Sequence, residues 1–99
     1  MELIATQFPN LEILELSYCK KITDAGMKHL ALLKNLKMLD VSCCPLISDE
    51  TIDTLVGLKK LEKLNMQGTS ANSELIVSKL TQVKRFDFAS VLLILANTN

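Results

Sequence analysis

The sequence lacks most of the features that mark a chemical function. It has no net charge, since eleven basic residues balance eleven acidic ones and the pI is about 6.5. Without a basic field there is nothing to collect phosphates, so the balance argues against nucleic-acid binding. Aromatic residues make up 4% and tryptophan is absent, too few for platforms on which bases stack. Histidine occurs once, at His29, and no C-x-x-C is present, so a metal site lacks ligands at workable spacing. The glycines Gly26, Gly57 and Gly68 are isolated and form no phosphate-cradling loop. Three cysteines, an odd number, argue against a disulfide framework. They fit a reducing compartment, the cytoplasm, with the nucleus as the alternative. The opening MELIATQFPN carries an acid at Glu2 and neither the basic nor the long apolar region of a targeting segment. The longest apolar run, Val91 to Ala96, is far short of the roughly 20 residues a membrane-spanning helix needs. Together these absences predict no membrane span, no metal or other cofactor, and no enzyme.

What is present is apolar content and order. Hydrophobic residues are 48% and charged ones 22%, too apolar for disorder and enough for one small domain with a modest core. Leu11, Leu36 and Leu61 open the same pattern at intervals of 25 residues. Aligned without gaps, LEILELSYCKKITDAGMKHLALLKN and LKMLDVSCCPLISDETIDTLVGLKK share Leu11, Leu14, Ser17, Cys19, Ile22, Asp24, Leu30, Leu33 and Lys34 of the first. A third unit keeps Leu61, Leu64 and Met66. A fourth strand pattern begins at Val83, only 22 residues on, so the third unit has lost three. Ala5, Phe8 and Asn10 stand 25 residues before Leu30, Leu33 and Asn35 and read as the tail of an earlier unit. The expected organisation is one domain over residues 1–99. It comprises a partial unit over 1–10, units over 11–35, 36–60 and 61–82, and a terminal strand with tail over 83–99.

Each unit has two textures. The L-x-x-L-x-L half alternates with period two, which suits a short strand with one face buried. The second half carries a helix-like apolar stripe: Met27, Leu30, Leu33, then Ile52, Leu55, Leu58. Thr23-Asp24 and Ser48-Asp49 precede these stripes. The hydroxyl is expected to cap a starting helix, and the acid to favour the positive end of its dipole. One strand and one helix cannot bury an apolar face alone, but stacked units can.

The run L-x-x-L-x-L-x-x-C followed by C-x-x-I-[ST]-D resembles the cysteine-containing class of leucine-rich repeats. That class is known from F-box substrate receptors of cullin-based ubiquitin ligases. The resemblance covers about residues 3–90. It departs in the third unit, where Thr69 stands for the cysteine and Asn72 for the isoleucine. It implies an α/β leucine-rich-repeat solenoid with short parallel strands on the concave face and helices on the convex face. The repeats by themselves do not establish a ubiquitin-ligase role, because one fold serves many functions. In the resembling class, the thiol at the position of Cys19 and Cys44 points into the turn after the strand and satisfies backbone groups. Both are therefore expected to be small buried thiols. Cys43, one place earlier, is turned away from Cys44 and belongs on the rim of the concave face. His29 belongs on the solvated convex surface.

On that architecture the concave face carries three columns. The central one is Glu15, Asp40, Asn65, Asp87. Two places back it is Ile13, Met38, Lys63, Arg85, and two places ahead Ser17, Ser42, Gln67, Ala89. Strands about 4.8 Å apart bring Glu15 beside Asp40. An open sheet supplies no pocket to exclude water, so the pair reads as a solvated acidic ladder rather than an acid–base couple. Ile13, Met38 and Tyr18 are the expected hot spots for a protein partner, with Cys43 at their rim. The function implied is a non-catalytic protein–protein interaction module, extending to substrate recognition in a ubiquitin-ligase receptor. The alternative is a small structural or assembly subunit whose open repeat ends are buried by partners. At the C-terminus the uncharged VLLILA run is expected to fold back over Phe86 and Phe88 as a cap, or to associate with a partner.

Overall fold

Each L-x-x-L-x-L run forms a strand because its alternate residues have somewhere apolar to point. The computed structural model describes residues 2–86. Within them β1 (Ile13–Glu15), β2 (Met38–Asp40), β3 (Lys63–Asn65) and β4 (Arg85–Phe86) form one parallel sheet in sequence order. The register is the one the 25-residue period requires: Leu14 opposite Leu39, Leu39 opposite Leu64, and Leu64 opposite Phe86. Hydrogen bonding extends past the short strands. The Glu12 carbonyl accepts from both Lys37 and Met38, Lys37 from Glu62 and Lys63, and Glu62 from Lys84 and Arg85.

The connecting halves differ more. α1 (Glu2–Gln7) precedes β1. After β1 the first unit makes only a four-residue helix, α2 (Asp24–Met27), before tightening into a 3-10 segment over Lys28–Leu32. Gly26 weakens the α-helix, and the second unit, with the same spacing by three at Ile52, Leu55 and Leu58, carries Thr51 in its place. The later units make seven-residue helices, α3 (Glu50–Val56) and α4 (Ser73–Lys79).

One core joins these elements. Leu14, Leu39, Leu64 and Phe86 from the strands share it with Leu30, Leu33, Leu55 and Ile76 from the connections. Helix-side apolar positions of the second unit, Ile52, Leu55 and Leu58, are at most 1% exposed.

Leu14 is buried at 8% exposure, because α1 brings the buried Ala5 and the half-buried Ile4 to the same cluster. Several expectations are corrected. Phe8, equivalent to the fully buried Leu33, is 57% exposed, since among the described residues its layer has a neighbour on one side only. His29 is half-buried rather than solvated, drawn in by the tight 3-10 turn. Thr23 does cap α2, accepting the Gly26 N–H at 3.4 Å. Ser48 does not cap α3: its hydroxyl donates to Asp24 instead. Asp87, Phe88, Ala89 and the apolar tail at 91–96 lie outside the described residues.

Candidate functional site: the exposed strand face

Parallel pairing puts the sequence-derived columns side by side. Ile13, Met38, Lys63 and Arg85 occupy successive strands at one level. Glu15, Asp40 and Asn65 occupy them at the next. In each strand these residues flank a buried leucine or phenylalanine, so alternation directs them away from the core. Ile13, Glu15, Lys63 and Arg85 are exposed, while Met38, Asp40 and Asn65 are half-buried between their neighbours.

The third column lies beyond the strands but keeps their register. Tyr18 donates its N–H to the Ser42 carbonyl at 2.8 Å, and Cys43 donates to the Gln67 carbonyl at 2.7 Å. Ser17 and Gln67 are exposed and Ser42 is half-buried. Tyr18, Cys43 and Gly68, each 25 residues apart, all adopt left-handed backbone with φ of 63°, 56° and 81°. Sequence reasoning missed this recurrent turn, although Gly68 in the series was a usable signal. Tyr18 is the most open of the three, with 69% of its surface exposed.

The acidic column is not uniform. One Asp40 carboxylate oxygen accepts the Ser42 N–H at 2.9 Å, and the Asn65 amide oxygen accepts the Gln67 N–H at 3.0 Å. Both side chains thus brace the turn that leaves their own strand. Glu15 makes no such bond and stands open to solvent. A shallow groove of about 200 Å³ crosses the face, lined by Glu12, Ile13, Lys37, Met38, Glu62 and Lys63. Along it Glu12 pairs with Lys37 at 3.3 Å, and Glu62 pairs with Lys84 at 3.6 Å. The groove is a contact surface, not an enclosure that could hold a reacting atom away from water. Among the described residues no group of three or more His, Cys, Asp or Glu side chains is placed to hold a metal ion. No helix there is long and apolar enough to cross a membrane.

The cysteines sort differently from expectation. Cys44 is buried, and its thiol donates to the Leu16 carbonyl of the preceding unit at 3.2 Å and to Ser42 at 3.5 Å. Burial pushes its pKa up, so it is held as the thiol. Cys19 and Cys43 are both half-buried, so the expected contrast between those two in exposure is absent. In the third unit the Thr69 hydroxyl stands at the cysteine's place but bonds within its own unit, donating to the Met66 carbonyl at 2.9 Å and accepting from Ala71 N–H.

A second polar device was not anticipated. Asp24 accepts three hydrogen bonds from the next unit: Ser48 N–H at 2.9 Å, Ser48 hydroxyl at 2.6 Å and the hydroxyl of fully buried Thr51 at 2.5 Å. Burial raises the Asp24 pKa, but the bonds from Ser48 and Thr51 together outweigh it and leave the carboxyl below its ordinary value. The signal in the sequence was an aspartate at the same place in two units, interpreted there as a local dipole effect. The geometry makes it a clasp between units.

Residues 9–31 and 33–55 each match the family model described as a leucine-rich repeat. The two matched segments fall on the first and second units, which are thus similar to leucine-rich repeats, and repeats of this family generally mediate protein–protein interaction. No curated protein matches the chain.

Proposed function

We propose that these leucine-rich repeats build a solenoid whose strand ladder is a concave, partner-binding face and whose helices form the convex back. The chain is then a non-catalytic protein-interaction module, acting in the cytoplasm. Its finer role is substrate recognition within a ubiquitin-ligase receptor, a reading supported by the C-x-x-I-[ST]-D resemblance in the first two units. The observation that carries the binding role is the strand face itself. Ile13, Met38 and Lys63 stand in register on adjacent strands, over a core held by fully buried Leu39 and nearly buried Leu64. A rigid array of evenly spaced side chains can bind without first being ordered, which removes a large cost of association.

A photo-crosslinking residue tests this. Placed at Met38 in cells, it should yield a discrete protein adduct that Ile13→Glu abolishes, while the same residue at Lys28 should yield none. Adducts from Lys28 alone would move the binding face to the helices. Ubiquitin-ligase components in the Met38 adducts would support the finer role, and their absence would remove it.

One observation favours a second reading, a structural or assembly subunit. Leu3 and Phe8 are 65% and 57% exposed at the first rung, beside a cavity of about 370 Å³ lined by Gln7 to Leu11. An assembly subunit should aggregate when expressed alone and be rescued by Phe8→Ser. A monodisperse wild-type monomer in sedimentation would discard that reading.

A further inference from the structure

From the order of charges on the strand face, we infer that it takes an extended peptide of fixed polarity: an apolar residue beside a basic one at one end, and an acidic residue about three positions further along. This deepens the protein-binding reading and rests on it.

The groove's own charges are largely matched. Glu12 is paired to Lys37 and Glu62 to Lys84. The charges on the columns are segregated by strand. Over β1 and β2 lie two carboxylates, Glu15 and Asp40, next to the apolar Ile13 and Met38. Asp40 spends one oxygen on Ser42, but Glu15 spends none. Over β3 the apolar column turns basic at Lys63 while the acidic column turns neutral at Asn65. Lys63 is exposed and has no ion pair among the described residues, and the basic character continues to exposed Arg85 on β4.

The spacing sets the ligand. Strands lie about 4.8 Å apart, so Glu15 on β1 and Lys63 on β3 are separated by two strand spacings, about 10 Å. An extended chain rises about 3.3 Å per residue, which makes that distance three residues for a peptide crossing the strands. Its apolar side chain enters between Ile13 and Met38, a neighbouring lysine or arginine reaches Glu15, and a later aspartate or glutamate reaches Lys63. A peptide laid the other way places its acid against Glu15 and its base against Lys63, a like-charge arrangement that selects against it.

Panning a random twelve-residue peptide display library on the full chain, followed by anisotropy with labelled synthetic peptides, tests this. The recovered peptides should carry the basic–apolar pair and the acid at the stated spacing. A synthetic partner with its acid and base exchanged, identical in composition, should bind about tenfold more weakly. The doubly reversed chain, Glu15→Lys with Lys63→Glu, should invert that preference. Both positions are exposed, and circular dichroism checks that the fold is kept. Peptides that bind and are displaced by Ile13→Glu, yet show no charge order and no inversion, would overturn the polarity while leaving the protein-binding face standing. Peptides whose binding ignores all three substitutions, or a library that yields none, would overturn both.

Discussion

The two joints between successive units solve the same stacking problem with different chemistry. On the strand side they are nearly identical: β1 meets β2 and β2 meets β3 in the same register, and the same positions donate across each gap. On the turn side they diverge. The first joint is closed by Asp24 with its three bonds to Ser48 and Thr51, and by the Cys44 thiol on the Leu16 carbonyl. At the second joint Asp49 accepts a single bond, from Asn72 N–H at 2.6 Å. Ser70 adds bonds to Pro45 and Ile47, and the Gln82 amide spans the Leu55 and Leu58 carbonyls. The third unit is three residues shorter, and the loss falls as two residues before α4 and one after it, without moving a strand. The ladder therefore tolerates wide variation behind it, because its register is fixed by apolar side chains and backbone bonds rather than by any one turn.

That comparison breaks most easily in the ladder. Leu39→Ala, at a fully buried position with a strand on each side, should cost about 2–5 kcal/mol in urea unfolding. Leu14→Ala, at 8% exposure on the outermost described strand, should fall at or below the low end of that range, where neighbours can relax into the space. Equal losses at the two positions would mean that the sheet has no favoured centre.

The joints should separate next. Asp24→Ala leaves the buried Thr51 hydroxyl without its acceptor and should cost about 1–3 kcal/mol. Asp49→Ala should cost less than about 1 kcal/mol, because Asn72 is exposed and water can replace the lost acceptor. The Asp24 contribution should also depend on pH. Its folded pKa lies below the ordinary 3.8, so the stabilisation is fully present above that value and disappears as pH falls through the folded pKa. The stability gap between wild type and Asp24→Asn, measured by unfolding from pH 7 to pH 2, should narrow only below about pH 4. A gap that narrows near neutrality would assign the effect to another group.

These contrasts also show what the sequence made legible. The strand register followed from Leu11, Leu36 and Leu61, since burial of one face leaves only one alignment in which every leucine is covered. The exposed columns followed from that register. The helical halves were less legible. A stripe spaced by three at Met27, Leu30 and Leu33 is compatible with α or 3-10 geometry, and only packing decides between them. The second role of Asp40 and Asn65, bracing the turns after their strands, was hidden because an exposed carboxylate and one bonded to its own backbone look alike in sequence. The Asp24 clasp was hidden for a related reason: its partners come from the next unit, and Ser48 has an equally good local use as a helix cap.

A smaller effect probes the turn after each strand. Gly68 has φ of 81°, and a side-chain carbon there would sit 3.1 Å from the Cys43 backbone N and Cα. Gly68→Ala should therefore cost about 1–2 kcal/mol, from the left-handed conformation alone before any contact is added. No loss would show that the turn can readjust, and that the second joint is looser than its bonding implies.

The equivalent position in the first unit holds the smallest expected change in stability and the most direct link to function. Tyr18 has φ of 63° and 69% exposure, a bulky residue kept in strained backbone with little of its surface buried. Replacing it with glycine relieves about 1 kcal/mol of strain but adds about 0.5–1 kcal/mol of unfolded-state entropy, so the two nearly cancel. Tyr18→Gly should thus unfold within about 0.5 kcal/mol of wild type by the same difference. If the tyrosine is present for a partner, as strained exposed residues at binding sites often are, the variant should still lose binding of the peptides selected on the strand face. A stability loss above about 1.5 kcal/mol would instead show that the ring packs onto the fold, beyond what the strain and entropy balance allows. Unchanged stability together with unchanged binding would leave the strain at Tyr18 without a use and would shrink the binding face to the columns over β1 to β3.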